Sequence, residues 1–271
     1  MINSLRKVKI MFKDKNSYKY LEALLSSSGV ALKYFEITDS TSNEAKKYAL
    51  NGGERCATLF LANEQSGGRG RLGRSFLSRR GQGLYMSLLC FTDRALADIV
   101  SITTSAAVAV ALSIEEVTGR EMKIKWVNDV YNESGKVSGI LTETVAADDR
   151  LAVIVGIGIN IGDIDFPDDL KNIASSIGDV SGRETELVCR IVKRLTDFFS
   201  SPCDRSYMED YRKRFMLQDK HIDLFVGGEN VDSGRVSGVD DDGGLIYFSD
   251  RQNKSITVRS GEVSIKTQKD L

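Results

Sequence analysis

The chain has 271 residues, 41% apolar and 28% charged, enough for one large domain or two with a real core. Its 37 basic and 38 acidic side chains leave a net charge of −1, which argues against a general nucleic-acid or membrane surface. The sole histidine, His221, has no metal-ligand partners at suitable spacing. It leaves a Ser-His-Asp or Cys-His catalytic set only if His221 is the base, and nothing near it suggests that.

Residues 1–30 open with a basic, weakly patterned segment. A short helix over Ser17–Leu25 follows and ends near Gly29, too little for a winged helix-turn-helix with its own core. Ala31–Ile37 alternates like a strand. Asp39-Ser40-Thr41-Ser42 then offers N-cap residues for a helix over Asn43–Leu50, which Gly52-Gly53 stop. Simple capping accounts for this cluster. A strand end meeting a helix N-terminus is also a good place for a ligand.

Ala57–Ala62 and Gly83–Cys90 read as buried strands. Between them lies a long loop with Gly at 67, 68, 70, 73, 81 and 83, and Arg at 69, 71, 74, 79 and 80. Glycine lets backbone N–H groups approach a ligand closely, and arginine presents a planar fork of donors suited to carboxylate and phosphate. Such a loop is built to close over an anion. It is expected to be mobile when empty and ordered by its ligand over residues 66–80. Two other readings exist. A disordered Arg/Gly nucleic-acid segment conflicts with the flanking core strands. A dinucleotide fingerprint is matched literally by Gly68, Gly70 and Gly73 with Asp93 further on, but no helix opens after Gly73.

A long apolar helix is predicted from about Arg94 to Thr118, ended by Gly119 and packed centrally. No apolar run reaches transmembrane length, because Asp98 and Glu115-Glu116 interrupt the nearest. Met122–Trp126, Lys136–Val145 and Leu151–Ile161 form a meander. Lys125 in it reads as a solvated edge residue or a functional cation. Asn160 ends an apolar run, and Gly156 and Gly158 indicate close approach of a backbone or ligand. Helices over Glu184–Ser200 and about Asp204–Met216 follow. From Leu217 short alternating runs with Gly/Asp/Asn turns make a small β-barrel, with a hairpin tip at Asp240–Gly243. Cys56 and Cys90 lie in apolar runs and are expected to be buried thiols. The lack of a secretion signal fits a cytoplasmic setting.

From about residue 33 to its end the chain resembles the biotin protein ligases. Five stretches carry the resemblance in order: Asp39–Ser42, Gln65 with Gly68–Arg74, Lys125–Asp129, Lys136–Leu141 and Gly156–Asn160. The resemblance implies an α+β fold. A mixed sheet with packed helices, like a class II synthetase, would span residues 1–217, with 1–30 as an extension. An SH3-like barrel would span 218–271. It implies attack of the biotin carboxylate on the α-phosphate of ATP, giving biotinyl-5′-AMP. A lysine of a biotin carboxyl carrier domain then takes the biotinyl group. By position, Ser40, Thr41, Ser42 and Gln65 would line the biotin head group. Gly68, Arg69, Gly70 and Arg71 would form the covering loop. Lys125, with Arg69 and Arg71, would act on the carboxylate and α-phosphate, and Gly139 would give passage beside biotin. Arg71, Arg74, Phe76, Asn128 and Asn160 would serve ATP. Mg2+ would arrive on the ATP phosphates, with Asn160 as a candidate ligand and no metal site made by the protein alone.

Ser42, Phe76 and Val127 depart from the family's usual Asn, Trp and Pro. They imply a shorter contact, weaker stacking and a looser turn. A lipoate ligase and a non-catalytic biotin or nucleotide sensor are the alternative readings. No membrane partner is expected, and the oligomeric state is left open, a homodimer included. Specific DNA binding is not expected either: a gel assay with the chain's own promoter region should show no salt-sensitive, sequence-specific shift.

Overall fold

The apolar runs become the spine of a seven-stranded sheet in a computed structural model that describes residues 15–92, 98–147 and 150–265. The sheet comprises β1 (Val30–Phe35), β2 (Ala57–Ala62), β3 (Gly83–Thr92), β4 (Lys123–Lys125), β5 (Asp129–Asn132), β6 (Gly135–Ala147) and β7 (Arg150–Asn160). Their order is β1-β2-β3-β7-β6-β5-β4, with β1 parallel to β2 and the other pairs antiparallel. The meander is therefore real, but it has an extra short strand. After Trp126 the chain turns and returns as β5.

Period-two alternation divides β7 between two faces. Val153, Val155, Ile157 and Ile159 enter the main core together with α3 (Ile99–Thr118) and α4 (Glu184–Ser200). Ala152 and Ile154 face the other way, onto Ala45 and Ala49 of α2 (Thr41–Leu50). Removing these apolar side chains from water drives the sandwich at about 25 cal/mol per Å². The α2 core is small and stops at Ile154. The next two residues on that face of β7 are Gly156 and Gly158.

Helix α3 is long and apolar enough to cross a bilayer by length and composition, yet 72% of it is buried inside the fold, which makes it a core helix. Asp98 caps it, Oδ1 accepting from the Val100 N–H at 3.0 Å, and Gly119 ends it with a left-handed φ of 70°. The expected start at Arg94 falls on 93–97, outside the described residues. Helix α1 (Lys15–Ser26) packs beside β1. Helix α5 (Tyr207–Arg214) is shorter than expected and is tied to α3 by the two-pronged Arg214–Glu115 pair, 2.5 and 3.0 Å. Cys90 is buried, which pushes its thiol up to about 12, whereas Cys56 is only half-buried, contrary to expectation.

The C-terminal runs form a second, five-stranded antiparallel sheet: β8 (His221–Val226), β9 (Glu229–Val239), β10 (Leu245–Ser249), β11 (Lys254–Val258) and β12 (Glu262–Ile265). Their order is β11-β10-β9-β8-β12. The acidic Asp240–Gly243 tip is the β9–β10 turn and docks on the first unit, where the Gly243 carbonyl accepts the Trp126 indole N–H at 2.9 Å.

Candidate functional site

Glycines set the floor. On the α2 face of the sheet, Gly158 lies opposite Gly139 of β6, and Gly156 opposite Leu141. A Cβ at Gly156 would sit 2.7 Å from Ser42 Oγ, and one at Gly158 would sit 2.5 Å from the Phe76 ring. The bare strand surface instead carries a cavity of about 520 Å3, roofed by the Gly/Arg loop and walled by the α2 N-terminus and the β4–β5 turn.

At the α2 end the cavity is neutral and hydrogen-bonding. Gln65 Oε1 accepts from the Thr41 N–H at 2.9 Å and from Thr41 Oγ1 at 3.1 Å. Thr41 Oγ1 also lies 2.8 Å from Ser87 Oγ, which lies 3.0 Å from Ser42 Oγ. A hydroxyl has one proton to give. Thr41 spends its proton on Gln65, so Ser87 donates to Thr41 and Ser42 donates to Ser87. Gln65 Nε2 donates to Ser78 Oγ at 2.9 Å, and Ser78 donates to the Phe76 carbonyl at 2.9 Å. The chain runs one way and fixes the Gln65 amide. Ser40 occupies the N-cap position, but its hydroxyl makes no capping bond. Capping alone does not explain it.

The middle is cationic. The Trp126–Asn128 turn is held from outside by the Gly243 carbonyl on Trp126. From inside, Asn128 Nδ2 donates to the Ile140 carbonyl at 2.8 Å and the Ile140 N–H donates to the Asn128 carbonyl at 3.0 Å. The Trp126–Val127 peptide is cis, and Val127 is buried. The Arg71 guanidinium bridges Asn128 Oδ1 at 3.1 Å and the Gly261 carbonyl at 3.0 Å, so the second sheet touches the loop directly. Val263 of β12 also lines the cavity.

Sequence reading missed Lys136. Strict alternation puts it on the face opposite Gly139. A register shift in the β5–β6 pairing leaves Val137 as an extra residue, so that Lys136 pairs with Tyr131 and turns onto the cavity side. There its Nζ lies 2.7 Å from Asp129 Oδ1, and 3.3 Å from where a Gly139 Cβ would be. Neighbouring Tyr131 also lines the cavity. Burial first, then Asp129, push its phenol up to about 12, so it remains a neutral donor at pH 7. At the far end Asn160 Nδ2 donates to the Ser175 carbonyl at 2.9 Å, and the Lys136 N–H donates to the Ile173 carbonyl at 2.8 Å. This brings Phe166, Leu170 and Ile173 to an apolar lip.

The structure brings together Ser40, Thr41, Ser42, Gln65, Arg69, Gly70, Arg71, Arg74, Phe76, Lys125, Asn128, Gly139 and Asn160 on this one cavity. Gly68 does not line it. Gly68 packs under the loop, where a Cβ would come within 2.4 Å of the Phe76 carbonyl and Ser78 Oγ. Arg69 lines the wall, but its guanidinium points to Glu143, 2.7 Å away.

Gly158→Ala is expected to weaken ligand binding. The added methyl must displace the Phe76 ring into the cavity, and overpacking of this kind costs about 1–3 kcal/mol. That corresponds to roughly a five- to hundredfold rise in Kd. Calorimetry with biotin, the ligand that the resemblance implies, is the measurement, and an unchanged Kd would contradict the tight floor.

Residues 34–160 match the biotin/lipoate A/B protein ligase family. Over 161 residues the chain is 41% identical to the bifunctional ligase/repressor BirA of Bacillus subtilis, covering 58% of this chain and 49% of that protein. Over 128 residues it is 38% identical to the biotin–[acetyl-CoA-carboxylase] ligase of Paracoccus denitrificans, covering 46% and 52%. The matched stretches thus span about half the length of these relatives. Among solved structures, the biotin protein ligase of Aquifex aeolicus in complex with biotin and ATP superposes with a TM-score of 0.70 at 28% identity. That alignment covers 87% of this chain and 98% of the other.

Proposed function

We propose that this chain is a biotin protein ligase, on the match of residues 34–160 to the biotin/lipoate A/B protein ligase family, and that it activates biotin as biotinyl-5′-AMP and passes it to a carrier lysine. The acceptor is a biotin carboxyl carrier domain of a biotin-dependent carboxylase. The observation that carries this is the order of chemistry along β7. Gly156 lies under the neutral hydroxyl–amide cluster, and Gly158 lies beside Gly139 and Lys136. Asn160 lies beside the apolar lip. At about 3.4 Å per residue the three positions span about 14 Å. A neutral cyclic urea, then a carboxylate meeting a phosphate, then a flat base fit that sequence.

In this reading Ser40, Thr41, Ser42 and Gln65 orient the urea head and bring the carboxylate to Lys136 and Lys125. Carboxylate oxygen attacks the α-phosphorus and pyrophosphate leaves. The two lysines and Arg71 offset charge as it builds on the phosphoryl oxygens. The carrier amine then attacks the acyl carbon of the anhydride, and AMP leaves. Arg74 and Asn128 serve the nucleotide, and Phe166, Leu170 and Ile173 receive its base. No group of three His, Cys, Asp or Glu able to hold a metal occurs among the described residues. In this reading Mg2+ would enter on the substrate phosphates, with Asn160 as a candidate ligand, as a hard cation that keeps most of its waters does. In this reading the β8–β12 sheet is a separate SH3-like barrel that braces the site through Gly243 and Gly261.

Mass spectrometry of the chain incubated with biotin and Mg-ATP tests the reading, and biotinyl-adenylate is the expected product. Biotin against lipoate in calorimetry separates the lipoate alternative. Absence of pyrophosphate release would leave a sensor.

A further inference from the structure

We propose that Glu143 is a positioning residue that latches the Gly/Arg loop over the cavity by holding Arg69. Glu143 stands on β6 opposite Ile154, on the same face as Gly139 and Leu141 but beyond the cavity wall. Its two carboxylate oxygens are divided between two elements. Oε1 accepts from Lys46 Nζ of α2 at 2.5 Å, and Oε2 accepts from Arg69 of the loop at 2.7 Å. Lys46 lies four residues after Ser42, on the helix face that meets the cavity. One carboxylate therefore ties the head-group wall to the roof.

The geometry of the loop gives that tie its weight. Its N-terminal base is held by the Ser66 and Gly67 N–H groups on the Thr38 and Asp39 carbonyls, 2.9 and 2.8 Å. The stretch from Arg69 to Ser75 is bonded to itself, through Gly70 N–H on the Arg74 carbonyl at 2.7 Å and the Arg69–Ser75 bridge. Arg71 and Arg69 reach out from this stretch. Arg71 goes to Asn128 and Gly261, and Arg69 goes to Glu143 on the opposite wall. The Lys46 and Glu143 side chains are 25% and 21% exposed, so the cluster is screened less than a surface pair. The Arg69 charge is thereby used to hold the roof.

The experiment is hydrogen exchange on the ligand-free full chain, comparing wild type with Glu143→Gln and Glu143→Asp. Gln removes the charge that both cations share, and Asp keeps it on a shorter arm. Exchange over residues 66–80 is expected to rise about three- to tenfold in Glu143→Gln, with Glu143→Asp between it and wild type. The rest of the chain should be unchanged. Unchanged exchange in the loop overturns the proposal, and so does a uniform rise over the whole chain. A second readout rests on the biotin-ligase reading. With biotin and Mg-ATP, Glu143→Gln should label a bystander protein two- to tenfold more than wild type while its single-turnover rate of pyrophosphate release stays within twofold. Equal labelling at equal adenylate yield also overturns it. If wild type forms no adenylate, the functional reading has failed and the exchange result still decides the latch.

Discussion

Lys136→Ala is expected to lower biotin-dependent pyrophosphate release by about 10²–10³-fold, the usual effect of removing one preorganised donor from a developing oxyanion. The bulge places Lys136 Nζ over the middle of the floor, paired with Asp129 and next to Gly139. A ligand whose neutral head reaches Gln65 would put its carboxylate there. The ammonium is neutralised by Asp129 while the cavity is empty and is available to a carboxylate and a phosphate together when it is filled. Lys125→Ala, on the same wall, should fall by roughly tenfold, the worth of one charge-assisted bond of about 1.5–3 kcal/mol partly replaced by its neighbour. Pyrophosphate release is the measurement for both variants. Wild-type rates from Lys136→Ala beside a dead Lys125→Ala would assign the role to Lys125 alone, as the family resemblance implies.

On the biotin-ligase reading, Arg71→Gly should make the chain leak its intermediate. Arg71 spans from Asn128 in the first unit to the Gly261 carbonyl in the second, across the mouth of the cavity. Removing it deletes a cation that can meet the adenylate phosphate and also unties the loop from the second sheet. Loss of about 1.5–3 kcal/mol corresponds to a roughly ten- to hundredfold faster escape of biotinyl-AMP. The lysines remain, so adenylate formation should persist. The freed anhydride acylates exposed lysines nearby. Biotin label on added serum albumin, without any carrier domain, reads this out. A variant that makes adenylate but labels albumin no more than wild type would show that Arg71 does not retain the intermediate. Retention would then rest on Arg74 and on the backbone amides under the Glu143 latch.

Local chemistry was legible where one residue type had few reasons to be present. Gly156 and Gly158 interrupt an otherwise apolar strand, and the structure has a cavity above both. The Gly/Arg loop between two buried strands is the roof of that cavity. The C-terminal strands fell close to their turn residues because Gly, Asp and Asn set hairpins locally. Helix ends were less legible. Helix α5 is bounded by its packing on α3 rather than by its composition. Cys56 sits at the start of an edge-proximal strand, where apolar neighbours in sequence do not ensure burial.

The sequence by itself determined the α+β class, the two faces of the central sheet, and the set of polar residues that meet above its glycines. The two faces follow from period and residue type, which are properties of a few neighbouring positions; the class and the polar set follow from the five stretches in which the chain resembles the biotin protein ligases. Only the tertiary structure decided which way three of the side chains point. A bulge of one residue turned Lys136 into the cavity. A carboxylate 74 residues away drew the Arg69 guanidinium out of it. A carbonyl 190 residues away, in the turn before β12, took hold of Arg71. Each is a contact between elements distant in the chain, set by register and packing, and no local pattern encodes it.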